Sequence, residues 1–179
     1  MNMNELYSTP ERERILRYLL YGQREKTMRE VAKETNVSPA QVHKYLGILE
    51  KAGIAKGGKL LEVPLVHSLR LTQNLKRLKK ANLTGLIRKK IPGVVGLGVF
   101  GSWANGTNME GSDVDIWVKV EKEPEMLLST QTRKELENKL GTGVDLIWLD
   151  EGRTKGHMEK NPPFYFSIYY SIVLWGKRI

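Results

Sequence analysis

The sequence predicts an α+β chain built from two units, and three observations point to it. Charge is uneven: residues 1–90 carry 19 Lys and Arg against 8 Asp and Glu, net +11, while residues 91–179 carry 10 against 12, net −2. Capped amphipathic patterns of helical period follow one another through the basic half. In the other half, runs of strand-forming residues alternate with a helical pattern. The asymmetry suits a first unit that meets a polyanion and a near-neutral second unit. A merely solvated surface explains the charge equally well, so the motifs must decide.

Composition narrows the chemistry. The chain has 179 residues, 40% of them apolar, and no cysteine, which excludes disulfides and thiolate zinc sites. His43, His67 and His157 are scattered without metal-ligand spacing. The N-terminus lacks a secretory pattern, and the longest uncharged apolar run, Phe164 to Trp175, is too short to span a bilayer. A cytoplasmic protein with no membrane partner is expected.

Thr9-Pro10-Glu11 combines an N-cap, a proline at the first helical position and an early acid, and Ile15, Leu16, Leu19 and Leu20 then recur at helical spacing up to Gly22. Thr27-Met28-Arg29-Glu30 has the capping-box pattern and opens a short helix that "TNVS" breaks. Ser38-Pro39-Ala40-Gln41 repeats that pattern, with Val42, Tyr45, Leu46 and Leu49 on one face of the helix that follows. Gln41, His43 and Lys44 lie on its other face. A short helix, a tight turn and a second capped helix make a helix-turn-helix pattern, whose last helix offers its N-terminal side chains to the major groove. Gly57-Gly58 then separates two short apolar segments, which reads as a hairpin with Lys56 and Lys59 at its tip. Those lysines suit phosphate contacts. Residues Gln73 to Ile91 hold seven basic residues and no acid, and read as one basic helix ended by Pro92-Gly93.

"MREVAKETNVSPAQVHKYLGILEKAGI" resembles the winged helix-turn-helix domains of prokaryotic transcription regulators, over about residues 8–72. The resemblance implies duplex DNA as partner, a homodimer as the binding form, and Ser38, Gln41, His43, Lys44, Lys56 and Lys59 as the DNA-facing residues. Loss of DNA binding, with the module kept for protein contacts, is the bland alternative.

The second half opens on "VVGLGVF", a strand-length apolar run that arrives at Gly101-Ser102. Glycine there lets the backbone approach a phosphate, and serine is expected to cap the following helix. The string "GLGVFG" fits a dinucleotide fingerprint only literally, because its glycines fall inside the strand. Asp113-Val114-Asp115 then leads into "IWVKV", and strand alternation puts both carboxylates on one face. Two like charges so placed call for a cation, and oxygen ligands select magnesium or a similar hard ion. Asp145 in "GVDLIWL" is an acid within an apolar strand, expected to be buried and to meet partners. Pro124 to Leu140 reads as the helix between those strands.

"GSWANGTNMEGSDVDI" with the later "VDLIWL" resembles the polymerase-beta-like nucleotidyltransferase superfamily. More narrowly it resembles the minimal nucleotidyltransferases, whose GSx10DxD signature is met at Gly101, Ser102, Asp113 and Asp115, and the likeness covers about residues 80–179. The resemblance implies that Gly101 and Ser102 hold the β and γ phosphates of a nucleoside triphosphate, ATP by expectation, with Gly106 and Ser112 extending the nucleotide site. It implies that Asp113, Asp115 and Asp145 bind Mg2+, as two ions, with Mn2+ as a substitute, and that Asp145 helps deprotonate an attacking hydroxyl. Some minimal nucleotidyltransferases are antitoxins that adenylylate a HEPN-type toxin, which implies a toxin or other protein acceptor. Two departures stand out: the simplest antitoxins lack a winged helix, and Trp103 occupies a turn that often holds smaller residues. Core packing is the simpler reading for Trp103. The C-terminal "NPPFYFSIYYSIVLWG" reads as a final helix and strand closing the core, with a base or partner site as the alternative.

The expected organisation is thus a winged helix-turn-helix DNA-binding domain over residues 1–72, a basic linker helix over 73–92, and a nucleotidyltransferase domain with a mixed β-sheet and flanking helices over 93–179. A DNA-binding transcription regulator whose second domain senses nucleotide or is inactive is the competing reading. Acceptor, base preference, operator and oligomeric state are not legible in the sequence.

Overall fold

A computed structural model of the chain describes residues 3–22 and 26–179. Its contacts divide it into two units, Met1–Gln73 with Asn108–Glu110, and Asn74–Thr107 with Gly111–Ile179. Among the described residues no helix is long and apolar enough to cross a membrane.

The first unit contains α1 (Met3–Leu6), α2 (Pro10–Tyr21), α3 (Met28–Thr35), α4 (Pro39–Lys51), a hairpin of β1 (Ala55–Lys56) and β2 (Lys59–Leu60), and the start of α5 (Pro64–Lys80). The caps act where the sequence puts them. Thr9 Oγ1 accepts from the Arg12 N–H at 3.3 Å. At Thr27 both halves of the capping box are present, with Glu30 Oε2 accepting from the Thr27 N–H at 2.8 Å. Asn36 takes the left-handed conformation, φ 51°, and ends α3 tightly enough for Ser38 to begin α4 two residues later. Apolar faces of α2, α3 and α4 meet in one core that includes Leu16, Leu20, Val31, Val42, Tyr45 and Leu49. Arg70, only 1% exposed, donates to the Leu20 carbonyl at 2.6 Å and to Glu62 Oε1 at 2.9 Å, and thereby ties α5 to the end of α2. Hydrogen bonding from Arg70 holds the Glu62 carboxyl below its ordinary range.

The single basic helix expected over residues 73–91 is two helices. α5 already starts at Pro64 and runs to Lys80, and α6 spans Leu83–Lys90, with left-handed Asn82, φ 50°, between them. The boundary read at residue 72 falls within this helix, whose early turns Val66 and Leu69 anchor in the first core. Leu78, Leu83, Leu86, Ile87 and Ile91 belong to the core of the second unit instead.

The second unit continues with β3 (Val94–Phe100), α7 (Gly101–Asn105), β4 (Val114–Val120), α8 (Met126–Leu140), β5 (Val144–Leu149), α9 (Glu151–Lys160), α10 (Pro162–Tyr169) and β6 (Ile172–Gly176). Its four strands lie in the order β5-β4-β3-β6, parallel between β4 and β5 and antiparallel elsewhere, a mixed sheet. One face buries Val99, Val114, Ile116 and Val118 in the core that also takes Leu86 and Ile87 of α6 and Leu136 and Leu140 of α8. The other face packs Phe100, Trp117 and Leu149 against Ile168 and Phe164 of α10. The strand glycines have a packing reason: a Cβ on Gly98 would come within 2.6 Å of the Trp117 indole, and one on Gly96 would run into the Lys177 backbone. Those glycines serve the sheet and not a dinucleotide turn.

The C-terminal segment closes the core on one side only. β6 pairs with β3 and Ile168 is buried, yet Phe166, Tyr169 and Tyr170 are exposed.

Candidate active site

At the end of β3 the chain turns at Gly101, φ +64°, directly into α7. The N-cap is Phe100, without a side-chain cap bond, and Ser102 lies inside the first turn. The expectation that Ser102 caps this helix is therefore corrected: the turn is so abrupt that the strand's last residue takes the cap position. Gly106 ends α7 in the left-handed conformation, φ 67°, and donates its N–H to the Ser102 carbonyl. The Thr107 N–H reaches the same carbonyl at 3.0 Å.

Trp103 sits behind this turn, 1% exposed. Its Nε1–H donates to the Ser112 carbonyl at 3.2 Å, its own carbonyl accepts from Asn74 Nδ2 at 2.9 Å, and the Arg77 guanidinium lies 4.7 Å over its ring. The indole is a core residue, as its size suggested, and it staples α7 to the residue that precedes Asp113. Thr142 Oγ1 donates to the same Ser112 carbonyl at 3.0 Å, and the Val114 N–H donates to Gly143 O at 2.9 Å. Ser112 thus receives one bond from α7 and one from the turn between α8 and β5.

This scaffold brings the three acids together. Asp115 is the register partner of Phe100 on one side and of Asp145 on the other. Asp113 stands just before β4, so its side chain falls on the same side as Asp115. Each of the first two carboxylates lies against a glycine. A Cβ on Gly101 would collide with Asp115 Oδ2, and one on Gly143 would collide with Asp113 Oδ1. Gly143, Thr142, Asn74 and Arg77 are residues that sequence reasoning missed. A glycine directly before "VD" was the one available signal, matching the glycine that precedes Ser102.

Asp115 is half-buried, while Asp113 and Asp145 are exposed. The expected burial of Asp145 is corrected: β5 is the edge strand, and its acid opens to solvent at the end of the sheet. Burial, then the Asp145 charge, then the Asp113 charge all push the Asp115 carboxyl above its ordinary value. The ionised triad therefore costs free energy unless a cation joins it. Among the described residues no ion pair links these acids to a lysine or arginine. Nor do three His, Cys, Asp or Glu side chains there form a ready-made metal cage. Such an arrangement fits an ion that takes one or two carboxylates and completes its shell with substrate phosphates and water, the habit of magnesium.

The residues read as DNA-facing are all exposed in the first unit. Gln41, His43 and Lys44 project from α4, and Lys56 and Lys59 flank Gly57-Gly58 in the hairpin. Ser38 is engaged locally, accepting from the Gln41 N–H at 3.4 Å and donating to Gln41 Oε1 at 3.0 Å.

Comparison with known families shows that the nucleotidyltransferase domain matches residues 81–174, more than half of the chain. The chain belongs to the nucleotidyltransferase domain family. A second family, described as winged helix-turn-helix DNA-binding, matches residues 12–56 of this nucleotidyltransferase. A curated relative, the protein adenylyltransferase MntA of Thermococcus cleftensis, is 46% identical over 55 residues, 31% of this chain and 56% of the relative. The chain thus matches about half the length of that relative. Among solved structures, a toxin–antitoxin MntA–HpeT complex aligns with a TM-score of 0.45 at 21% identity, over 55% of this chain and 73% of that one. A nucleotidyltransferase structure from Sulfolobus solfataricus aligns with a TM-score of 0.38 at 21% identity, over 60% of this chain and 87% of its own.

Proposed function

We propose that this chain moves a nucleoside monophosphate from a nucleoside triphosphate, with ATP as donor, to a hydroxyl on a protein acceptor, and that its first unit binds duplex DNA. The observation that carries the transferase reading is the placement of Asp115 between the Gly101 turn and Asp145, with Asp113 beside it. The likeness to a curated protein adenylyltransferase supports ATP and a protein acceptor.

The residues divide the work. Backbone N–H groups at Gly101 and Ser102 orient the β and γ phosphates, where glycine allows close approach. Asp113 and Asp115 would hold Mg2+, with Asp145 completing its surroundings once the triphosphate is bound, and the ion would offset the charge of the carboxylates and the triphosphate. Asp145, exposed and opposite Asp115, accepts the proton of the attacking hydroxyl. The hydroxyl oxygen bonds to the α phosphorus while the bond to the pyrophosphate oxygen breaks, so pyrophosphate leaves with the electron pair. Trp103 and Ser112 position this machinery from behind, and Gly106 closes the short helix that presents Ser102.

The test is a calorimetric titration of the four ribonucleoside triphosphates into the full chain, with and without magnesium. Magnesium-dependent binding with a preference for ATP is expected. Absence of binding under every condition overturns the nucleotide site and favours a DNA-binding regulator with an idle second unit.

For the first unit, duplex DNA binding is expected to weaken steeply with salt. Alanine at Lys56 or Lys59 is expected to lower the slope of log K against log salt by about 0.9 for each phosphate that is no longer neutralised. A slope unchanged in the double variant refutes their assignment to phosphates.

A further inference from the structure

Asp113 differs from the other two acids in how its place is set. Asp115 and Asp145 are register partners within the sheet, whereas Asp113 precedes β4 and is held by its neighbours alone. Two segments supply those neighbours. On one side is Ser112, whose carbonyl accepts from Trp103 Nε1 of α7 at 3.2 Å and from Thr142 Oγ1 at 3.0 Å. On the other is Gly143, whose carbonyl accepts from the Val114 N–H at 2.9 Å and on which a Cβ would collide with the Asp113 carboxylate.

One side chain joins the two segments at their roots. The half-buried Arg77 guanidinium lies 4.7 Å over the Trp103 ring, and its Nη2 donates to the Leu140 carbonyl at 2.9 Å. Leu140 is the last residue of α8, so its carbonyl has no partner inside the helix, and an arginine there meets both the orphan acceptor and the negative end of the helix dipole. Left-handed Gly141, φ 67°, and Thr142 are all that separate Leu140 from Gly143. One turn before Arg77, Asn74 is fully buried and donates to the Trp103 carbonyl at 2.9 Å, so α5 holds this tryptophan by backbone and by ring. All of these residues belong to the second unit.

We propose that Arg77 is a positioning residue for the cation site: by bridging Trp103 and Leu140 it sets Ser112 and Gly143, and through them the Asp113 carboxylate. This rests on the reading of the aspartates as the site of a divalent cation. A planar guanidinium lies on a ring and donates in its own plane at once, which a lysine ammonium cannot reproduce. The bridge therefore depends on the fork as well as on the charge.

Mn2+ binding to the full chain, in the presence of a non-hydrolysable ATP analogue, is read by electron spin resonance for wild type, Arg77→Met and Arg77→Lys. Both variants are expected to bind Mn2+ about tenfold or more weakly, the cost of losing a group that orients a metal ligand from behind. Val118→Ala is the comparison for stability, because Val118 is buried in the same core on the face of β4 opposite Asp115. It is expected to melt at a lower temperature and to keep Mn2+ affinity within about twofold of wild type. An equal weakening of Mn2+ in Val118→Ala reduces Arg77 to a structural role and overturns the proposal. Tighter Mn2+ binding in Arg77→Met also overturns it, since that is what removing a nearby positive charge does by Coulomb repulsion alone. Wild-type affinity in Arg77→Lys, which keeps the charge and most of the bulk should Arg77→Met fail to fold, shows that the fork is dispensable and overturns the bridge. In each of these cases the cation site itself stands, provided that wild type binds Mn2+ and the Asp113→Asn, Asp115→Asn variant does not. A wild type that binds no Mn2+ refutes the cation site and the role of Arg77 with it.

Discussion

Asparagine at both Asp113 and Asp115 is expected to cost about three orders of magnitude in nucleotidyl transfer, because several kcal/mol of charge stabilisation around the triphosphate depend on these carboxylates. The same variant is expected to melt at a higher temperature than wild type when magnesium is absent. The Asp115 carboxyl is raised above its ordinary 3.8 by burial and by its two acidic neighbours, so its ionised form costs stability in the folded state. That cost is absent below pH 3.8, grows as pH rises through the raised folded value, and is complete above it. At neutral pH the double asparagine variant escapes it. Adding magnesium with ATP then inverts the order, since a ligand that binds only the folded form stabilises wild type by mass action and has no purchase on the variant. Thermal melts of both proteins, with and without these ligands, check the crossing. A variant that melts below wild type in both conditions refutes the account of the triad as a preorganised cation site.

Gly101→Ala is expected to destabilise the chain and to abolish most magnesium-dependent nucleotide binding, and Gly141→Ala provides the comparison that separates two causes. Both glycines have left-handed backbone, φ +64° and φ +67°, so alanine costs each about 1–2 kcal/mol of backbone strain. They differ in surroundings. A Cβ at Gly141 meets nothing within 4 Å, whereas one at Gly101 runs into the Asp115 carboxylate. Similar losses of stability with nucleotide binding kept in Gly141→Ala and lost in Gly101→Ala locate the defect at the displaced carboxylate. Equal binding in the two variants refutes the claim that this glycine sets the position of Asp115.

Much of the fold is legible because its signals are local. Thr9, Thr27 and Ser38 cap the helices that they precede, since a cap needs only its own side chain and the N–H groups of the next turn. The Gly57-Gly58 hairpin is legible for the same reason: both glycines have positive φ, which few other residues tolerate. Less legible was α5, whose polar and basic surface hides the apolar positions that anchor it, and whose start at Pro64 falls where the hairpin's sequence pattern ends. The C-terminal helix and strand close the core as read, and only packing shows which of their side chains do so: Ile168 is buried and Phe164 packs against the sheet, while Phe166, Tyr169 and Tyr170 are exposed.

By itself the sequence determined the chemistry available: no thiols, a basic first half, and a glycine-serine turn followed at short range by two alternating aspartates. It also determined that these two share a face, because strand alternation is a property of neighbouring residues. Only the tertiary structure decided that Asp145, thirty residues further on, stands opposite Asp115, and that Gly101 and Gly143 are the surfaces against which the carboxylates rest. Strand register and close approach are set by packing between segments distant in sequence, such as the seating of α8 on one face of the sheet and the Trp103 staple to Ser112. A residue's neighbours along the chain carry no record of those contacts, which is why the acids were readable as a list and became a site only when the sheet was assembled.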